Sequence, residues 1–107
     1  MAHSHTLARL EATISARRNA DPDTSYVAKL HARGLPKIAQ KLGEEATETV
    51  IAALVEGRDE LVGEAADLLF HLFILLGARD IAFDDVLAEL DRRDGVSGIA
   101  EKASRTS

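Results

Sequence analysis

The chain has 107 residues, a formal net charge of −5, 46% apolar residues and no cysteine. That is one domain's worth of chain with apolar content for a globular core and not for a membrane protein. The missing cysteine excludes disulfides and thiolate metal sites, and the negative balance argues against broad electrostatic binding to nucleic acid. The start of the chain, with His3, Ser4 and His5, is polar and lacks the pattern of a secretory signal. The longest apolar run, Leu68 to Leu76 interrupted by His71, falls short of the roughly 20 residues that span a bilayer. A cytoplasmic protein with no membrane and no nucleic-acid partner is the expectation.

Period-two alternation is nearly absent and helical spacing recurs throughout, so an all-α bundle of about five helices is expected, one domain over 1–107. The first helix runs from about Thr6 to Arg18, with Leu7, Leu10 and Ile14 on one stripe. Asn19-Ala20-Asp21-Pro22 stops it. The second spans about Ser25 to Arg33, capped by Thr24 or Ser25 and ended by Gly34 in a left-handed αL position. Pro36 suits the first turn of a third helix that continues to about Glu56, with Gly57 ending it. Ile38, Leu42, Ala46, Thr49, Val50 and Ala53 form its expected core face, with Glu45 at the border. The fourth helix, about Asp59 to Ala78, is surrounded by apolar residues from Leu68 to Leu76. A helix apolar all round is buried on all sides, and a chain this short supplies that cover by pairing with a second copy. A homodimer or higher homo-oligomer is therefore expected. The fifth helix covers about Asp84 to Arg93, and 94–107 reads as an irregular tail.

The acids are clustered. Glu44, Glu45 and Glu48 lie on the third helix; Glu60, Glu64 and Asp67 lie on the fourth. Residues three or four apart share a helix face, so Glu45 projects with Glu48 and Glu64 with Asp67. In an antiparallel hairpin turning at Glu56-Gly57, Glu45 is level with Asp67 and Glu48 with Glu64, because both pairs are centred on Glu56. Four carboxylates at one level repel unless they keep protons or share a cation. An all-oxygen set suits Mg²⁺, with Mn²⁺ as the alternative, and Mg²⁺ also binds phosphates. The set therefore points to phosphoanhydride hydrolysis, with Glu45, Glu48, Glu64 and Asp67 as metal ligands and Glu44 as a candidate base or outer-sphere group. Lys29, Lys37 and Lys41 are candidate phosphate contacts; Arg33 repeats the one-turn spacing after Lys29.

A single Glu-x-x-Glu pair is ordinarily solvated surface. Two pairs matched in level beside an apolar stripe carry more. His71, among leucines, reads as a hydrogen-bonded core residue rather than a ligand. A carboxylate di-iron bundle would need Glu-x-x-His pairs, and Asp67 and His71 are four apart.

Glu45-x-x-Glu48 followed by Glu64-x-x-Asp67 resembles the signature of the MazG-like all-α nucleotide pyrophosphatases. The wider context, Lys29-Leu30, Lys41-Leu42-Gly43-Glu44-Glu45-Ala46-Thr47-Glu48 and Glu64-Ala65-Ala66-Asp67-Leu68-Leu69-Phe70-His71-Leu72, is similar to the phosphoribosyl-ATP pyrophosphatases of histidine biosynthesis. The resemblance covers roughly Leu7 to Arg105. It implies Mg²⁺-dependent hydrolysis of the α–β bond of phosphoribosyl-ATP to phosphoribosyl-AMP and pyrophosphate by a dimer or higher helical assembly. Two other expectations stand beside it: a house-cleaning nucleoside triphosphate pyrophosphatase of the same superfamily, and a non-catalytic helical interaction module.

Overall fold

Local signals fix where each helix begins and ends in the computed structural model, which describes residues 3, 5–95 and 102. The helices are α1 (Thr6–Arg17), α2 (Tyr26–Arg33), α3 (Leu35–Val55), α4 (Arg58–Ala78) and α5 (Phe83–Arg93), with no strand among the described residues. Asp21 closes the turn after α1: its side chain accepts from the Asp23 N–H at 2.9 Å. Ser25 caps α2, its hydroxyl accepting from the Ala28 N–H at 3.2 Å. Pro36 sits in the first turn of α3. The expected irregular tail lies outside the described residues except for Asp94, Gly95 and Lys102.

Gly34 is not αL as expected. It has φ 95° and ψ 168°, and it ends α2 and starts α3 at once. An αL residue would close α2 without extending the chain into a new helix. The extended mirror region does both, and it is essentially restricted to glycine.

α3 and α4 form the central antiparallel hairpin through extended Glu56 and Gly57. α1 and α2 pack against it over a core of Ile14, Val27, Leu30, Ile38, Phe73 and Ile74. Two long-range contacts hold the far end. The Glu11 carboxylate accepts from the Phe83 N–H at 2.7 Å and so caps α5, while Arg18 donates to the Gly77 carbonyl at 3.0 Å at the end of α4.

The core face of α3 differs from the expected one. Ile38, Glu45 and Ala52 are buried and Leu42 and Thr49 half-buried, whereas Ala46, Val50 and Ala53 are exposed. The most apolar stripe was expected to face inward, but α4 packs on the side that carries Glu45 and Thr49. Val50, Ile51, Leu54 and Val55 are left outward. α4 is long and apolar enough to cross a membrane by length and composition. In the fold it is the central helix, with His71, Phe73 and Ile74 buried and Val62 and Leu69 exposed.

Candidate active site

Three carboxylates meet across the hairpin. Oxygen atoms of Glu45, Glu48 and Glu64 all lie within 4.8 Å of one another. The level matching expected from the turn at Glu56-Gly57 thus brings Glu48 to Glu64. Thr49 holds that level: its hydroxyl points its one proton between the Glu45 carbonyl at 2.8 Å, in its own helix, and the Glu64 carbonyl at 3.2 Å, in the other.

The cluster is electrostatically loaded. Glu45 is only 8% exposed, in the middle of the buried stripe rather than at its border. One carboxylate oxygen of Glu45 and one of Glu64 are buried with no hydrogen-bond partner among the described residues. Burial, then the hydrogen bond with Glu48 and its charge, push the Glu45 carboxyl above its ordinary value. The hydrogen bond with Glu48, then burial and the neighbouring charges, push Glu64 up as well. Three carboxylates this close repel one another unless they keep protons or share a cation.

The remaining expected acids stand differently. Asp67, one turn beyond Glu64, is exposed and outside the close trio, although its charge raises both Glu45 and Glu64. Glu44 is exposed and accepts from Gln40 at 2.9 Å and from Lys41 at 3.2 Å. These two bonds, Gln40's first, hold its carboxyl below the ordinary value. Its hydrogen bonds thus run along the surface of α3.

The structure also gathers the expected cations. Lys29, Arg33, Lys37 and Lys41 line one cavity of about 190 Å³ together with Tyr26 and Leu30. Lys41 pairs with Glu44. Among the described residues no carboxylate lies within ion-pair distance of Lys29, Arg33 or Lys37. A larger cavity of about 480 Å³, between α1, α2 and the end of α4, contains none of the expected site residues.

Sequence reasoning missed Tyr26. Its hydroxyl meets His71 Nε2 at 2.7 Å, and His71 Nδ1 meets the Asp67 carbonyl at 2.7 Å. A carbonyl only accepts, so Nδ1 carries the proton and Nε2 accepts from the tyrosine. His71, 5% exposed, is therefore the hydrogen-bonded core residue expected. Tyr26 joins the two halves of the site, since it lines the cationic cavity and feels the charges of Lys41, Glu45, Glu44 and Asp67. The signal available was that it is the single tyrosine of the chain, at a helix start.

An all-α hairpin bundle with an acidic trio between its central helices and a cationic cavity alongside defines a structural class: small helical proteins that gather acids and cations on neighbouring faces of one hairpin. A family profile described as phosphoribosyl-ATP pyrophosphohydrolase matches residues 7–94, and the chain belongs to that family. Relatives named phosphoribosyl-ATP pyrophosphatase include one from Erythrobacter litoralis (strain HTCC2594), 70% identical over 101 residues, covering 94% of this chain and 97% of the relative. One from Novosphingobium aromaticivorans is 69% identical over the full length of both chains, 107 residues. A third, from Rhizorhabdus wittichii, is 68% identical over 100 residues, covering 94% of each chain.

Proposed function

We propose that this chain hydrolyses the α–β phosphoanhydride of phosphoribosyl-ATP to phosphoribosyl-AMP and pyrophosphate, the second step of histidine biosynthesis, in the cytoplasm. The observation that carries the reading is the carboxylate trio with two buried oxygens that have no hydrogen-bond partner among the described residues, in a chain whose relatives bear that enzyme's name. The donor set fits Mg²⁺, or Mn²⁺, because hard oxygen ligands are all it offers and a cation relieves the repulsion. Glu45, Glu48 and Glu64 would hold it, with Asp67 as the adjoining fourth ligand. When bound, such an ion neutralises phosphate charge and acidifies water.

The chain's own groups do the rest. Lys29, Lys37 and Lys41 supply positive charge for phosphates that the carboxylates would repel. Glu44, kept ionised by Gln40 and Lys41, is the candidate base or outer-sphere group. The Tyr26–His71 bond fixes α2 on α4 and so fixes the cations relative to the acids. A second copy of the chain supplies the cover that Val50, Ile51, Leu54 and Val55 lack, making the working unit a homodimer or higher homo-oligomer.

The test is a substrate panel with Mg²⁺, comparing phosphoribosyl-ATP with ATP, dUTP and other nucleoside triphosphates. The expected result is kcat/KM highest for phosphoribosyl-ATP, with pyrophosphate released. Preference for a non-standard nucleotide would assign a house-cleaning role. No turnover, and no stabilisation by Mg²⁺ or Mn²⁺, would leave an interaction module.

A further inference from the structure

The cationic cavity holds more positive charge than the structure's own acids use. Of its four cations only Lys41 has a carboxylate partner among the described residues. Three like charges converge on one concavity in a chain whose net charge is −5. Glu44 acts on Lys37 only from beyond ion-pair distance; like charges gathered so are unfavourable, and a phosphate dianion relieves that through charge-assisted hydrogen bonds.

The cavity is also set apart from the acids. Lys41 and Lys37 precede Glu45 on α3 by four and eight residues. At a rise of about 1.5 Å per residue that is roughly 6 and 12 Å along the helix. A triphosphate anchored at the trio can reach Lys41 at the near end of the cavity, whereas the far end, at Lys37 on α3, is open to another part of the ligand. At about 190 Å³ the cavity is smaller than the roughly 300–1,000 Å³ typical of whole-ligand pockets. Leu30 and the ring of Tyr26 give it an apolar wall, and Tyr26 is held at its hydroxyl by His71. Cations for a dianion beside an apolar wall for a pentose describe a site for a sugar phosphate.

We infer that the cavity lined by Lys29, Arg33, Lys37 and Tyr26 receives the 5-phosphate of the ribosyl arm, the phosphomonoester at the end of the substrate remote from its triphosphate. Arg33 is its central specificity residue, because its planar fork grips a phosphate in two places. The inference rests on the proposed pyrophosphatase reading. The site would select phosphoribosyl-ATP over ATP, which carries the same triphosphate without the arm.

Two measurements test it. The first follows the Arg33 and lysine side-chain resonances of the wild-type chain by NMR during titration with ribose 5-phosphate, with ribose and inorganic pyrophosphate as comparisons. Ribose 5-phosphate is expected to shift Arg33, Lys29 and Lys37 and ribose to shift none. Response to pyrophosphate alone, or to none of the three, would overturn the assignment in favour of a triphosphate site or plain surface. The second compares kcat/KM for phosphoribosyl-ATP and for ATP in Arg33→Gln. The ratio is expected to fall about tenfold, the loss of one charge-assisted contact; an unchanged ratio would refute the role. The titration needs no turnover. If phosphoribosyl-ATP proves not to be a substrate, the pyrophosphatase reading fails on the panel while the titration still decides the cavity.

Discussion

Glu45 shows how one residue can be unfavourable for folding and suited to function. It sits at the centre of the buried face of α3 with a carboxylate oxygen that has no hydrogen-bond partner among the described residues. Glutamine keeps its shape and removes the charge. In the absence of metal at pH 7.5, Glu45→Gln is expected to melt at the same temperature or higher, while turnover falls about 100-fold or more, since even outer-sphere groups of a metal site are worth roughly 10–100-fold. Full turnover in that variant would remove Glu45 from the machinery. Tyr26 is the converse, a residue whose polar tip is satisfied. Tyr26→Phe leaves Nε2 of His71 without its donor and should cost about 1–2 kcal/mol in urea unfolding. The buried, doubly bonded His71 was legible from its place among leucines. Its partner Tyr26 was not, because the two are 45 residues apart and nothing local links them.

At the scale of elements, helix limits were legible because they depend on neighbours in sequence. Ser25, Pro36 and the Glu56-Gly57 turn each act within a turn of helix. Gly34 acts locally too, yet its conformation depends on how α2 must hand over to α3. A Cβ at Gly34 would approach only Pro36 Cδ, at 3.8 Å, an ordinary contact. The cost of Gly34→Ala is therefore a backbone cost, about 1–3 kcal/mol for a residue forced into the mirror-extended region. Chemical denaturation reads this directly, and a loss below a few tenths would mean the junction relaxes. The direction that α3 faces was not legible. Two stripes compete on it, and the more apolar one, through Val50 and Ala53, is not the one α4 covers.

At the scale of the whole molecule, the outward stripe and the charge of the trio each make a prediction. Leu54 and Val55 are 78% and 76% exposed in the single chain. Leu54→Asp is expected to convert an oligomeric wild-type protein to monomer in sedimentation at micromolar concentration, and a wild-type monomer would refute the self-association. The trio couples stability to pH. Glu45 and Glu64 have folded-state values raised above the ordinary 4.5, so their contribution is greatest below that value and is lost as pH rises through the raised ones. Glu89, lowered to about 2 by its bonds to Arg92 and Arg93, contributes in the opposite sense: its share is present above 4.5 and lost only as pH falls through about 2. Metal-free protein should therefore melt higher at pH 5 than at pH 7.5. Mg²⁺ should raise the melting temperature more at pH 7.5, where protons compete less for the carboxylates. Equal Mg²⁺ effects at both pH values would separate the ion from the trio.

The sequence by itself determined the helices, the hairpin and the level at which Glu48 meets Glu64, because helix periodicity and a two-residue turn are local rules; that Asp67 stays outside the close trio was not legible in it. It also held the cations Lys29, Arg33, Lys37 and Lys41 at one-turn spacing. Only the tertiary structure decided that α2 lays its pair beside those of α3 around one cavity, that Glu45 is buried rather than at the rim, and that Tyr26 and Thr49 bind the site together. Those outcomes depend on which faces of separate helices touch, and that is settled by packing the whole bundle at once.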